Sequence, residues 1–145
     1  MKTDIGYLIV QIKQLSDRRF NALLTQEGFA AFNGAQGRIL VVLWEKGCQS
    51  IHKLSLATSL APTTLTAMLD RLEEKKLIER KRSETDRRTI LVSASKGSYA
   101  LKSHYEAIEA KINAEFLEGF SANEASSLSA YLQRLRQAML TKGKL

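Results

Sequence analysis

A single proline, Pro62, interrupts a chain of 145 residues. Proline removes a backbone donor and clashes with the turn before it, so it is a frequent interrupter of helices. Nearly the whole chain is therefore free to be helical, and its apolar side chains recur at helical spacing. Ile5, Leu8, Ile9, Ile12, Leu15, Phe20, Leu23 and Leu24 mark a first helix over 5–24 that should stop near Gly28. Asn33 and Gln36 have capping-box spacing, which starts a second helix carrying Ile39, Leu40, Leu43 and Trp44 and ending at Gly47. Two shorter helices are expected over about 52–58 and 62–75, with Pro62 in a first turn, where its missing N–H would be unpaired anyway. Two helices meeting across a few residues have the shape of a helix-turn-helix.

The period then changes. Ile78 to Arg82 and Thr89 to Ser93 read as short strands, joined by the polar run Ser83 to Arg88 as a hairpin with a charged tip. Helical spacing returns from Ser95 through Leu101, Tyr105, Ile108, Ile112 and Phe116 to Gly119. Ser121 and Glu124 form a second capping box, opening a last helix with Leu128, Leu132, Leu135 and Met139. The expected fold is mostly α. Residues 33–95 can close a small core of their own, whereas the flanking segments 1–28 and 96–145 carry apolar stripes with little to cover them. The simplest cover is a second copy, because closed twofold homodimers are the commonest soluble oligomers; the alternative is a monomeric bundle.

Composition narrows the function classes. At 44% hydrophobic and 26% charged residues the chain is far from a disordered or disulfide-rich scaffold. Its longest apolar runs, 8–10 and 39–44, fall well short of the roughly 20 residues that span a bilayer. The N-terminus lacks the pattern of a secretory signal, so a cytoplasmic location is expected, with which the lone Cys48 agrees. His52 and His104 stand far apart with a single cysteine, so neither a metal nor another cofactor is expected; the alternative is a site shared across a dimer by His104 with Glu106 or Glu109. With no nucleophile triad, paired catalytic carboxylates or glycine-rich phosphate loop, the chain is not expected to be an enzyme.

The net charge of +7 favours an anionic partner. Its densest knot is Arg80-Lys81-Arg82 with Arg87-Arg88, opposed by Glu84 and Asp86. The helix from Pro62 opens with the short polar side chains Thr63, Thr64 and Thr66, keeps Leu65, Met68, Leu69 and Leu72 at core spacing, and places Arg71 two turns after Thr64. Such a helix end suits base edges in a major groove, where threonine offers a hydroxyl and a methyl and arginine a fork of donors. The competing reading makes the threonines ordinary helix-start residues and pairs Arg71 with Asp70 or Glu74.

The stretch from Leu54 to Ser95 carries a resemblance. Arg71-Leu-Glu-Glu-Lys-Lys-Leu-Ile-Glu-Arg80, followed by the Asp-x-Arg of Asp86 and Arg88 and then by a long helix, resembles the MarR family of winged helix-turn-helix transcriptional regulators. The resemblance extends over nearly the whole chain. It implies a winged helix-turn-helix lobe and an obligate homodimer built from the N- and C-terminal helices. Its partner would be double-stranded DNA, a pseudo-palindromic operator, bound as a repressor whose affinity a small-molecule effector changes. Tyr7, Phe20, Phe29, Phe32, Trp44 and Tyr105 would line the effector cleft or form ordinary core.

In this setting Arg88 reads the minor groove from the wing tip. Asp86, two residues away in extended backbone and hence on the same side, orients its guanidinium. Lys81, Arg82 and Arg87 neutralise phosphates. The competing reading of the tip is a solvated, charge-mixed turn. The chain departs from the family pattern in three places: Lys76 stands where glycine usually closes the recognition helix, the pair Ala94-Ser95 where Leu-Thr is common, and Ser55 where a small alanine is typical. Cys48 is not at the position of the redox-sensing relatives. Two other functions remain open: a winged-helix protein-interaction adaptor that does not bind DNA, and a peripheral protein whose basic face meets anionic lipid.

Overall fold

The computed structural model describes residues 4–29 and 33–143. In chain order it contains α1 (Ile5–Gln26), α2 (Gly34–Lys46), β1 (Gln49–Ser50), α3 (Ile51–Thr58), α4 (Pro62–Glu74), β2 (Ile78–Arg82), β3 (Ile90–Ala94), a 3-10 helix (Lys96–Leu101), α5 (Lys102–Phe116) and α6 (Ala122–Lys142). This is the winged helix-turn-helix order, α3 and α4 being its two helices and β2 and β3 its wing.

The strands form one antiparallel sheet in the order β1-β3-β2. Arg80 lies opposite Val92, Lys81 opposite Leu91 and Arg82 opposite Ile90, while Gln49 and Ser50 pair with Val92 and Leu91 from the other side. The sequence pattern gives no sign of β1, because two residues cannot display an alternating period. The expected continuous helix from Ser95 begins instead as a 3-10 helix, in which Ser95 is the N-cap and accepts from Ser98 N–H.

The chain divides into two compact units, one up to Glu109 and one from Ala110 onward. In the first, Leu23 and Leu24 of α1, Ile39, Leu40 and Leu43 of α2, Leu54 of α3, Leu65, Leu69 and Leu72 of α4, and Ile78 and Val92 of the sheet make the core. Tyr105 is fully buried and meets Phe20, Phe29 and Trp44 edge to face, with ring centroids 5.7, 6.5 and 6.0 Å away. A Cβ built on Gly37 would collide with the Tyr105 ring and hydroxyl, so position 37 has no room for a side chain. Trp44 Nε1 donates to the buried Ser98 Oγ at 3.1 Å, and Ser98 Oγ donates to the Ser95 carbonyl at 2.8 Å.

The second unit contains the end of α5 and all of α6, whose capping box is complete: Glu124 N–H donates to Ser121 Oγ and Ser121 N–H to Glu124 Oε1. The box at Asn33 forms only by half. Asn33 accepts from Gln36 N–H, but the Gln36 side chain is buried and its Oε1 faces Lys75 Nζ at 3.5 Å.

Two departures from the family pattern meet at the end of α4. Lys76 takes the left-handed conformation at φ +60, and its carbonyl accepts from Ser95 Oγ at 2.8 Å. The third, Ser55, donates from Oγ to the Leu60 carbonyl at 2.7 Å, closing the turn between α3 and α4.

These contacts have opposite consequences for stability. Gly37→Ala should cost on the order of 1 to 3 kcal/mol, because the added methyl has no space. Lys76→Gly should gain roughly 0.5 to 1 kcal/mol, since a left-handed residue with a Cβ costs more than glycine's extra freedom in the unfolded chain. Urea unfolding midpoints, lower for the first variant and higher for the second, check both.

Candidate nucleic-acid interface

Helix α4 buries Leu65, Leu69 and Leu72 and leaves Thr63, Thr64, Thr66 and Arg71 exposed, so the face opposite the core carries the polar groups. Its N-cap is Ala61, which provides no side-chain acceptor for the first N–H groups. The Thr66 hydroxyl donates back to the Pro62 carbonyl at 2.8 Å, which leaves its methyl and oxygen lone pairs for an outside partner. Asp70, the proposed competitor for Arg71, is engaged elsewhere: its Oδ1 accepts from Arg80 at 2.7 Å. Arg71 makes no ion pair among the described residues.

Arg80 is the first surprise of the basic knot. Its guanidinium forks between two acids of α4, with Nε and one terminal nitrogen on the Glu73 carboxylate at 3.1 and 3.0 Å and that same nitrogen on Asp70. Hydrogen bonding from Arg80 holds the Glu73 carboxyl below the usual carboxylate range. One of the five knotted cations is thus neutralised, and the outward charge is carried by Lys81, Arg82, Arg87 and Arg88, all exposed. The signal was present as acids spaced three apart on one helix face, but nothing local in the sequence says that a strand arginine reaches them.

The wing tip is a turn rather than extended backbone, which corrects the expected geometry of Asp86 and Arg88. Thr89 N–H donates to the Asp86 carbonyl at 2.9 Å, closing a four-residue β-turn, and Ser83 N–H donates to the Thr89 carbonyl at 2.8 Å. The Asp86 carboxylate accepts from the Arg88 backbone N–H at 3.0 Å and from the Thr89 hydroxyl at 3.3 Å. Its approach to the Arg88 guanidinium is longer, 4.0 Å to Nε, and the Arg88 side chain is 98% exposed. Asp86 therefore shapes the turn that presents Arg88, and grips the guanidinium only loosely. Arg82 donates to the Arg87 carbonyl at 2.8 Å and braces the same turn.

Of the two readings of the aromatic residues, ordinary core describes most of them. Phe20, Phe29, Trp44 and Tyr105 are buried core, Tyr7 is exposed, and Phe32 lies outside the described residues. His104 Nε2 lies 3.2 Å from Glu27 Oε2, and its ring meets Phe29 edge to face. Burial raises the Glu109 carboxyl above its ordinary range against the opposing pull of Arg38. Among the described residues no cluster of three potential ligands could hold a metal ion, and no helix is long and apolar enough to cross a membrane.

An exposed polar face on the second helix of a helix-turn-helix, beside a basic wing, defines a winged-helix protein. The sequence profile of the MarR family matches residues 32–90. An uncharacterised HTH-type transcriptional regulator of Bacillus subtilis, YwhA, is 30% identical over 106 residues, covering 72% of this chain and 76% of that one. The organic hydroperoxide resistance transcriptional regulator of the same organism is 41% identical over 63 residues, and that match spans 43% of each chain. Among solved structures, a cysteine-to-serine mutant of Escherichia coli MarR complexed with operator DNA superposes with a TM-score of 0.81 at 26% identity, over 90% of this chain and 92% of that one. The chain belongs to the MarR family.

The turn geometry makes a local test. Asp86→Ala removes both acceptor oxygens and should speed exchange of the Arg88 amide about tenfold, the loss of one modest hydrogen bond. Asp86→Asn keeps an acceptor and should stay near the unmodified rate. Amide exchange followed by NMR distinguishes them.

Proposed function

We propose that this protein is a dimeric, sequence-specific DNA-binding repressor of the cytoplasm, a binding protein and not an enzyme. In this proposal a small-molecule effector modulates its affinity, as the family resemblance implies. The observation that carries the DNA reading is the pairing of two exposed presentations in one unit: the polar face of α4 and a turn-braced wing whose Arg88 side chain is 98% exposed. The operator DNA in the structure of the Escherichia coli relative supports the same partner.

In this reading the start of α4 enters a major groove. Thr63 and Thr64 offer hydroxyls, Thr66 a methyl to thymine, and Arg71 a donor fork to a guanine edge or a phosphate. The Ala61 N-cap leaves the positive end of the helix dipole unmasked for phosphate. Arg88 enters the adjacent minor groove, where A·T-rich sequence narrows the groove and strengthens its negative potential. Asp86 holds the turn in the shape that points Arg88 outward. Lys81 and Arg87 neutralise phosphates, and Arg82 adds charge while bracing the tip.

The dimer follows from exposed apolar surface. Ile5, Ile12 and Leu15 on α1 are 67%, 55% and 59% exposed, and Tyr131 and Leu132 on α6 are 63% and 53% exposed. A second copy is the simplest cover for such stripes. A twofold dimer would set its two α4 helices in successive major grooves about 34 Å apart, which is why a palindromic site suits it.

Three outcomes check this function. Affinity for duplex DNA should fall steeply with salt, and Arg87→Ala should weaken all duplexes alike while flattening the log-log slope by about one unit. Arg88→Ala should cost on the order of 1 to 3 kcal/mol on a site selected from random sequence, with the loss dependent on A·T content beside the half-sites. Leu132→Asp, at a position the protomer core does not need, should convert a sedimenting dimer into a folded monomer; a monomeric unmodified chain refutes the assembly. Binding to anionic vesicles but not to duplex refutes the DNA reading itself.

A further inference from the structure

We propose that Arg80 is a positioning residue for operator recognition, locking α4 to the wing strand β2 by bridging Asp70 and Glu73. The inference rests on the DNA reading above and deepens it.

Asp70 and Glu73 are three apart on α4, so they lie on one face of consecutive turns. Arg80 sits in β2, opposite Val92 of β3, and satisfies both carboxylates with three hydrogen bonds of 2.7 to 3.1 Å. Its side chain is only 22% exposed, against 57% and 43% for the two acids. A planar guanidinium has donors in the fixed geometry that such a bridge demands, and a lysine ammonium has not. The corner spanned is the short connection through left-handed Lys76, which joins the groove-facing helix to the wing.

Reading two grooves at once requires a fixed angle between helix and wing. At about 3.3 Å per strand residue the wing tip lies on the order of 15 Å beyond Arg80, so a swing of roughly 5° at the corner moves Arg88 by more than 1 Å. Arg80 thus acts on DNA through other residues, with its own charge already spent on α4.

The test compares the duplex that the unmodified protein selects from a random library with a random-sequence duplex of equal length, with thermal melting as a folding control. Arg80→Lys keeps the charge but cannot fork; it should bind the selected duplex about tenfold more weakly, the size of one charge-assisted contact, with the random duplex and the salt slope unchanged. Asp70→Asn combined with Glu73→Gln removes two negative charges, so simple electrostatics predicts tighter binding everywhere. The bridge predicts tighter binding to the random duplex and weaker binding to the selected one. Arg80→Lys with undiminished discrimination overturns the proposal, as do equal losses on both duplexes, which would mark a phosphate contact. A loss that vanishes once the unfolded fraction is subtracted overturns it as well. If the unmodified chain itself discriminates no duplex, the DNA reading fails first and this inference with it.

Discussion

The first unit depends on one close approach, the Tyr105 ring against the backbone of α2 at Gly37. A fully buried aromatic side chain needs neighbours on all sides, and Tyr105 draws them from α1, α2 and the segment between them through Phe20, Trp44 and Phe29. Its hydroxyl lies 3.5 Å from the Gly34 carbonyl, and burial pushes the phenol well above its ordinary range of ionisation, so it stays neutral. The start of α5 is thereby seated on α1 and α2. The 3-10 helix before it is held by the Trp44–Ser98 hydrogen bond. With α2 fixed on that side, its Ile39, Leu40 and Leu43 belong to the same core as α3, α4 and the sheet.

Capping follows the same economy, with one exception. Asp4, Asn33, Ser50, Ser95 and Ser121 each accept a backbone N–H at the start of their helices, as unpaired donors require. Helix α4 begins at Ala61 without such a partner. Departures from local rules tend to fall at functional positions, and this one falls at the helix end that the proposed function sets in the DNA groove. Two of the acids of α4, Asp70 and Glu73, meet Arg80 near its other end, and its first turn carries no carboxylate.

The helices were readable from the sequence because each has a period and a punctuation mark. Asn33, Gly47, Pro62, Ser95 and Ser121 stand where elements begin or end, and Lys76, at the position where the family usually has glycine, takes the left-handed turn. What escaped was non-local. Strand β1 exists because β3 offers it an edge, and Gln36 abandons its capping bond because burial and Lys75 compete for its side chain. Arg80 reads as one more basic residue until α4 is folded beside it. At the wing tip, spacing by two suggested a shared face for Asp86 and Arg88 where a β-turn makes the Arg88 backbone amide the principal partner of the carboxylate. Period-based reasoning fails wherever the backbone turns within the period.

The wing tip is closed almost entirely by itself. Ser83, Thr85, Asp86 and Thr89 exchange hydrogen bonds among themselves, and Arg82 reaches only as far as Arg87. Eight contiguous residues thus encode the loop's shape without recourse to the core. A segment of this kind can be exchanged between relatives as a cassette, carrying its conformation with it. If the wing reads DNA as proposed, its target preference can then change by replacement of one short stretch of chain, without alteration of the buried framework that supports it.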